Sequence, residues 1–157
     1  MAELKSTLRV FNEADLETSK SGVVVKGSEG RKVLVGNQER PSERLRVHIR
    51  SFKPGAHTPL HWHVIEAVYY VISGSAVLED IEGNTYDIGP GTVIYYPAGI
   101  AGSHGWDVKE EMKLISIRAT TDREKNIQFN VDRETKESTI ALDYLLRRGG
   151  AKFKSFY

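Results

Sequence analysis

The sequence predicts an all-β domain, a sandwich or barrel of short strands. Three observations carry this. Fourteen glycines and five prolines punctuate runs rich in Val, Ile and Tyr. The runs recur at the close spacing of strands joined by turns. And one stretch alone in 157 residues has firm helical periodicity. That length suits one ordinary domain able to bury a core without cross-links.

In chain order, strands are expected near Gly22–Lys26, Lys32–Val35, Leu45–Phe52, Ala67–Ile72, Ala76–Ile81, Thr85–Ile88, Thr92–Tyr96 and Lys113–Ala119, with a weaker one at Gln128–Val131. Pro54-Gly55 suits the centre of a type II turn, where glycine supplies the positive φ. Gly83-Asn84 fits a tight primed hairpin turn, and Gly89-Pro90-Gly91 marks another reversal. Over Ser138–Arg148 the apolar Ile140, Ala141, Tyr144, Leu145 and Leu146 recur at three- and four-residue steps, predicting a C-terminal helix. Ser138 or Thr139 would cap it, Arg147 and Arg148 suit its negative end, and Gly149 stops it. Asp122–Asn126 reads as a charged loop and the basic, aromatic Ala151–Tyr157 as a disordered tail. The division is 1–40 as N-terminal strands or arm, 41–120 as barrel core and 121–157 as C-terminal extension.

Composition excludes several functions. Twenty-two Lys and Arg against twenty-one Asp and Glu leave a formal charge of +1, no field for a polyanion, so no nucleic-acid partner is expected. The absence of cysteine removes disulfides, thiolate metal sites and cysteine nucleophiles. No signal peptide or apolar run of membrane-spanning length is read, so the expectation is a cytoplasmic protein without a membrane partner.

Chemistry is carried by the histidines. The segment Pro54-Gly55-Ala56-His57-Thr58-Pro59-Leu60-His61-Trp62-His63 sets His61 and His63 two apart, so on a strand both leave one face and can reach a single ion at about 2.1 Å. Trp62 then faces the other way, into packing or a subunit contact. Further on, Gly91-Thr92-Val93-Ile94-Tyr95-Tyr96-Pro97-Ala98-Gly99 is followed by His104.

Over about residues 45–120 this arrangement resembles the cupin superfamily. Gly55, His61, His63 and Gly74 fall in register with its first motif. Gly91, Pro97, Gly99 and His104 follow the second, with two extra residues before the histidine. The resemblance implies a double-stranded β-helix, or jelly roll, with one divalent ion held by His61, His63 and His104. The acid of the common pattern should stand at position 67, which is Ala67; Glu66 lies one residue early and reaches the ion only if a bulge re-aims it. Cupins with three histidines and no acid are similar to the gentisate-type and β-diketone-cleaving dioxygenases. An ion without a carboxylate ligand keeps its whole charge and attracts an anionic chelating oxygen donor, and three facial ligands leave positions for substrate and O₂.

The resemblance thus implies a non-haem Fe²⁺ dioxygenase cleaving a small, chelating, oxygen-rich organic acid or ketone, although imidazole also accepts Ni²⁺, Zn²⁺, Mn²⁺ or Cu²⁺. The alternatives are a metal-dependent lyase or isomerase of a small carboxylated or sugar-like substrate, and a non-catalytic small-ligand-binding barrel. Glu66, Arg50 or a pocket tyrosine would position substrate or relay a proton. In Leu45–Phe52, Leu45, Val47 and Ile49 share one face while Arg46, His48 and Arg50 share the other. If the polar face looks into the barrel, Arg50 can hold a carboxylate bidentately; a solvent-facing strand fits the same alternation. His57 is expected on the pocket rim, with Tyr69 and Tyr95 lining the pocket or packing as ordinary core. A homodimer is expected, with Trp62, Phe52 and the strands before Arg40 as candidate contacts.

Overall fold

The computed structural model describes residues 6–19, 26–119 and 127–141. Eight strands form it: β1 Lys26–Val35, β2 Arg46–His63, β3 Ala67–Asp80, β4 Thr85–Ile88, β5 Val93–Tyr96, β6 His104–Arg118, β7 Gln128–Val131 and β8 Ser138–Ile140. All pairings are antiparallel. The sheet order is β4-β3-β6-β2-β7-β8, with β1 also on β2 and β5 also on β3.

The long strands β2, β3 and β6 each serve two leaves of the barrel. In the first leaf Arg46–Phe52 and Ala67–Val71 flank Leu114–Arg118 of β6, and β1 and β5 close the edges. In the second, the later half of β2 and Ala76–Asp80 flank His104–Val108, with β4 on one edge and β7 on the other. Between the leaves the strands bend. At the bend of β3, Gly74 has φ 77°, and a Cβ there would lie 2.0 Å from the Glu111 carbonyl oxygen. Only a residue without a side chain fits so close a backbone approach. The two leaves bury one apolar cluster that includes Phe52, Tyr69, Val71, Trp106, Met112 and Leu114.

Several expected features take another form. Pro54-Gly55 is no reversal: β2 runs through it, and Gly55, at φ 79°, gives the strand its bend. Gly89-Pro90-Gly91 does not turn the chain back either, because β4 and β5 both run antiparallel to β3 and follow one another along its edge. The β3–β4 hairpin exists, but its turn spans Asp80–Gly83, closed by the Gly83 N–H donating to the Asp80 carbonyl at 3.1 Å. The Asp80 carboxylate draws it tight by accepting from the Glu82 and Asn84 N–H groups at 2.9 and 3.0 Å. The helix expected from Ser138 is contradicted at its start, since Ser138–Ile140 pairs with β7 as a strand and Ile140 is 44 % exposed. Residues 142–148 of that expected helix, the loop at 122–126, the tail at 151–157 and residues 22–25 lie outside the described residues. Phe52 is wholly buried, so it is core and no subunit contact. Trp62 stacks on Phe129 with ring centroids 4.3 Å apart and donates through Nε1 to Ser138 Oγ at 2.9 Å.

Candidate metal centre

The inward face of β2 begins on even positions: Arg46, His48, Arg50, Phe52, Ala56, Thr58 and Leu60 are buried. It ends on odd ones, His61 and His63. The switch comes from a register shift between Thr58 and His61, where the pairing with β6 slips by a residue. An extra residue in one strand re-aims everything after it, and here it turns both imidazoles inward.

His104 starts β6 directly opposite His61. The two extra residues before it are taken up in a 3-10 turn at Ile100–Gly102, pinned to β2 by the Gly99 N–H donating to the His63 carbonyl at 2.9 Å. A Cβ on Gly102 would meet the Pro97 carbonyl at 2.1 Å. One ligand-capable nitrogen from each of His61, His63 and His104 lies within 4.8 Å of the others, and all three residues are buried.

Hydrogen bonds orient the rings. His61 Nδ1 lies 2.8 Å from the Pro59 carbonyl and His104 Nδ1 2.9 Å from the Gly102 carbonyl. A carbonyl only accepts, so each Nδ1 carries the proton and each Nε2 keeps a free lone pair. His63 has no hydrogen-bond partner on either nitrogen, although it is 4 % exposed. A buried imidazole left so is unfavourable unless something else meets it, and a cation shared with the other two rings does. The donor set therefore fits one divalent ion.

All three rings are uncharged near neutrality. Burial lowers His61 to about 4, against its bond to Pro59, with Arg118 and Arg50 pushing the same way as burial. Burial likewise holds His63 and His104 well below the ordinary range. Neutral imidazole is the form that ligates.

Behind His104 stands an aromatic wall. Tyr96 stacks on it at 3.6 Å between centroids, and Tyr69 packs on Tyr96 at 4.8 Å. Arg118 Nη2 donates to the Tyr69 hydroxyl at 2.9 Å. Burial alone would raise the Tyr69 phenol, but Arg118 and Arg50 outweigh it and hold it below the usual range.

Other expected residues stand elsewhere. Glu66 is exposed and accepts from the Tyr95 hydroxyl at 2.9 Å; no bulge turns it inward, and the 59 % exposed Tyr95 is on the outside. Its neighbour Tyr96 faces in, the reverse of the expected parity. His57 is exposed and pairs with Asp107 at 2.8 Å, away from the rings. Tyr69 is inside, 1 % exposed, and Arg50 is inside at 8 %. Sequence reasoning missed Tyr96, Trp106 and Arg118. For Trp106 and Arg118 the signal was present in the even-numbered alternation of β6, which brings His104, Trp106, Val108, Met112, Leu114, Ser116 and Arg118 to one buried face; for Tyr96 it was the alternation of β5, where Ile94 and Tyr96 are buried.

Residues 48–118 match the cupin domain family. The chain carries a cupin domain. It is similar to the oxalate decarboxylase OxdC of Bacillus subtilis, 39 % identical over 83 residues, which are 50 % of this chain but 21 % of that longer protein. Among solved structures it resembles the polyketide cyclase RemF from Streptomyces resistomycificus, with 22 % identity, TM-score 0.60, and 72 % of this chain and 80 % of that one covered. It also resembles KdgF from Halomonas sp., with 21 % identity, TM-score 0.61, and coverage of 75 % and 98 %. The cupin pattern places an acid at position 67. Here Ala67 is buried at that place, with Arg118 and Tyr96 directly opposite it on the two neighbouring strands.

Proposed function

We propose that this cupin is a metal-dependent enzyme acting on a small, chelating organic acid. The observation that carries the reading is the convergence of three buried, uncharged imidazoles, one of them with no other partner, in a barrel interior that also holds Arg50 and Arg118. A divalent ion on these rings supplies a Lewis-acidic centre with open positions for substrate oxygens.

The chain's own residues do the rest. Pro59 and Gly102 hold two rings in the ligating tautomer. Tyr96 and Trp106 pack against the His104 ring and fix its place. Tyr69, its phenol tuned downward by two guanidiniums, is placed to lend a proton to a developing anion. Ala67 contributes no negative charge, so that charge has to arrive with the substrate.

This charge inventory favours a non-redox lyase or decarboxylase step. Three neutral donors with arginines nearby penalise any 3+ ion relative to 2+. Similarity to a protein named for decarboxylating oxalate, itself a small dicarboxylate, supports the same direction. The second reading, oxidative cleavage with Fe²⁺, rests on Ala67, because a three-histidine set without an acid resembles the ring- and diketone-cleaving cupins.

Metal analysis tests the site. Wild type and His57→Ala should carry about one ion per chain, while His61→Ala and His104→Ala should retain less than about a tenth of that. Equal stoichiometry in all four would refute the site. Turnover without O₂ in the Zn²⁺-loaded protein selects the lyase reading, and activity dependent on both Fe²⁺ and O₂ selects the other.

A further inference from the structure

The polar face of β2 points into the barrel, against the usual apolar-in rule. Arg46, His48 and Arg50 are 7 %, 4 % and 8 % exposed, while Leu45 on the opposite face is 48 % exposed. Register adds more cations to the same face. Arg31 of β1 is directly opposite Arg50, Arg118 of β6 is directly opposite Arg46, and His48 lies between the two rows. Directly opposed side chains on neighbouring strands come within about 5.5 Å at Cβ, a distance at which like charges repel. His48 is kept uncharged there and accepts from Arg46 Nε at 3.2 Å.

Arg50 is the member with capacity to spare. Its Nε and Nη2 are buried and have no hydrogen-bond partner, and the guanidinium sits 5.1 Å over the Phe52 ring. Phe52 packs edge-on against Trp106 at 5.6 Å, and Trp106 lies 6.3 Å from His104, so Arg50 and the histidine cluster border the same aromatic cluster. The buried polar side chains among the described residues include no Asp or Glu. Further unmet buried polar atoms belong to this interior: Tyr96 Oη, Ser116 Oγ and Trp106 Nε1. Ser116 is opposite His48 on one side and Tyr69 on the other. A planar fork with two unmet N–H groups, buried with no acid among the described buried side chains, is the arrangement that receives a carboxylate bidentately.

We propose that Arg50 is the anchor for a second carboxylate of the substrate, so that the substrate class is a small dicarboxylate, held by the ion at one end and by Arg50, in the field of Arg46 and Arg118, at the other. This rests on the metal-enzyme reading for the first end only. It separates this chain's substrates from neutral diketones and from simple monoacids, because a ligand with one acid leaves either the ion or Arg50 unmet.

The test is calorimetric titration of Zn²⁺-loaded protein with oxalate, malonate, succinate and glutarate against acetate and butyrate, in wild type, Arg50→Gln and Arg50→Lys. One diacid should bind at least about tenfold tighter than the monoacids, the scale of a charge-assisted bidentate pair. Arg50→Gln should bring that ratio to near one, and Arg50→Lys should restore only part of it. Thermal melts of the ligand-free proteins supply the readout that a merely structural role would not survive: Arg50→Gln should melt no lower than wild type, since it removes a buried charge with unmet donors. A diacid preference that survives Arg50→Gln, no preference in wild type, or a variant that melts lower or fails to fold would each overturn the proposal. The chelator-treated protein keeps the two readings apart. Arg50-dependent diacid binding without any metal binding sinks the metal enzyme and leaves the anchor standing, while metal binding without diacid preference does the reverse.

Discussion

Lowering the pH from 7 to 5 should strip stability from the chelator-treated protein through its four buried histidines. In the unfolded chain each imidazole takes up a proton near its ordinary 6.5, whereas in the fold His61 waits until about 4 and His48 until about 2, both chiefly because of burial. His63 and His104 are held well below the ordinary value for the same reason. Between these limits the unfolded state binds more protons than the native one, so stability falls as pH falls. A histidine with values of 6.5 and 4 in the two states forfeits about 2 kcal/mol over that interval, so His61 and His48 together forfeit about 4 kcal/mol, and His63 and His104 add to the loss in the same direction. That is a large share of the whole stability of an ordinary domain, roughly 5–15 kcal/mol. Urea titrations followed by circular dichroism at pH 7, 6 and 5 measure it. With a slope of roughly 2 kcal/mol per molar, the midpoint should drop by about 2 M or more. Excess Zn²⁺ should return part of the loss at pH 5, because the ion takes the same unprotonated nitrogens and binds only the native state. Midpoints at pH 7 and 5 that agree within about 0.3 M would refute the buried, neutral cluster.

Two substitutions probe the frame around the site. Gly74→Ala combines positive φ with a clash against the Glu111 carbonyl and should lose about 3 kcal/mol or more, whereas Gly55→Ala, with similar φ but nothing within 4 Å of its Cβ, should lose about 1; equal thermal melts for the pair would show that the close approach at the bend is absent. Ala67→Glu restores a carboxylate beside Arg118 and should tighten divalent-ion binding about tenfold in competition with a coloured chelator, and an unchanged affinity would mean that position 67 does not face the ion.

Local signals were legible where a strand is short and bounded by turn residues. Thr85–Ile88 and Gln128–Val131 emerge with the bounds the sequence suggests. The long strands were not, because a glycine at positive φ reads the same whether the chain reverses, as after Asp80, or merely bends, as at Gly55 and Gly74. Which it does depends on partners far away in sequence, here Met112 and its neighbours on β6. The histidine trio was legible from spacing and family pattern, and the shift that turns it inward was not, since a bulge exists only relative to a partner strand. Tyr95 and Tyr96 take faces opposite to those expected because odd–even parity does not carry across the loops between strands: Tyr96 pairs with the buried Ala67. At Ser138–Ile140 a helical rhythm lost to edge pairing with β7, and the apolar Ile140 it counted on is partly in water. Arg50 shows the opposite failing. The strand's two faces were read correctly, but hydropathy alone points the wrong one inward, because this interior is lined by Arg46, His48 and Arg50.

The parity change between Thr58 and His61 makes the chemistry of this barrel all-or-none with respect to chain length. Side-chain substitutions around the rings can tune affinity by degrees. Losing or gaining a single residue in that short stretch swaps inside for outside for both imidazoles at once while leaving the rest of the strand's lamination intact. Gain or loss of one codon there is thus a direct path from an inward-facing histidine pair to an outward-facing one.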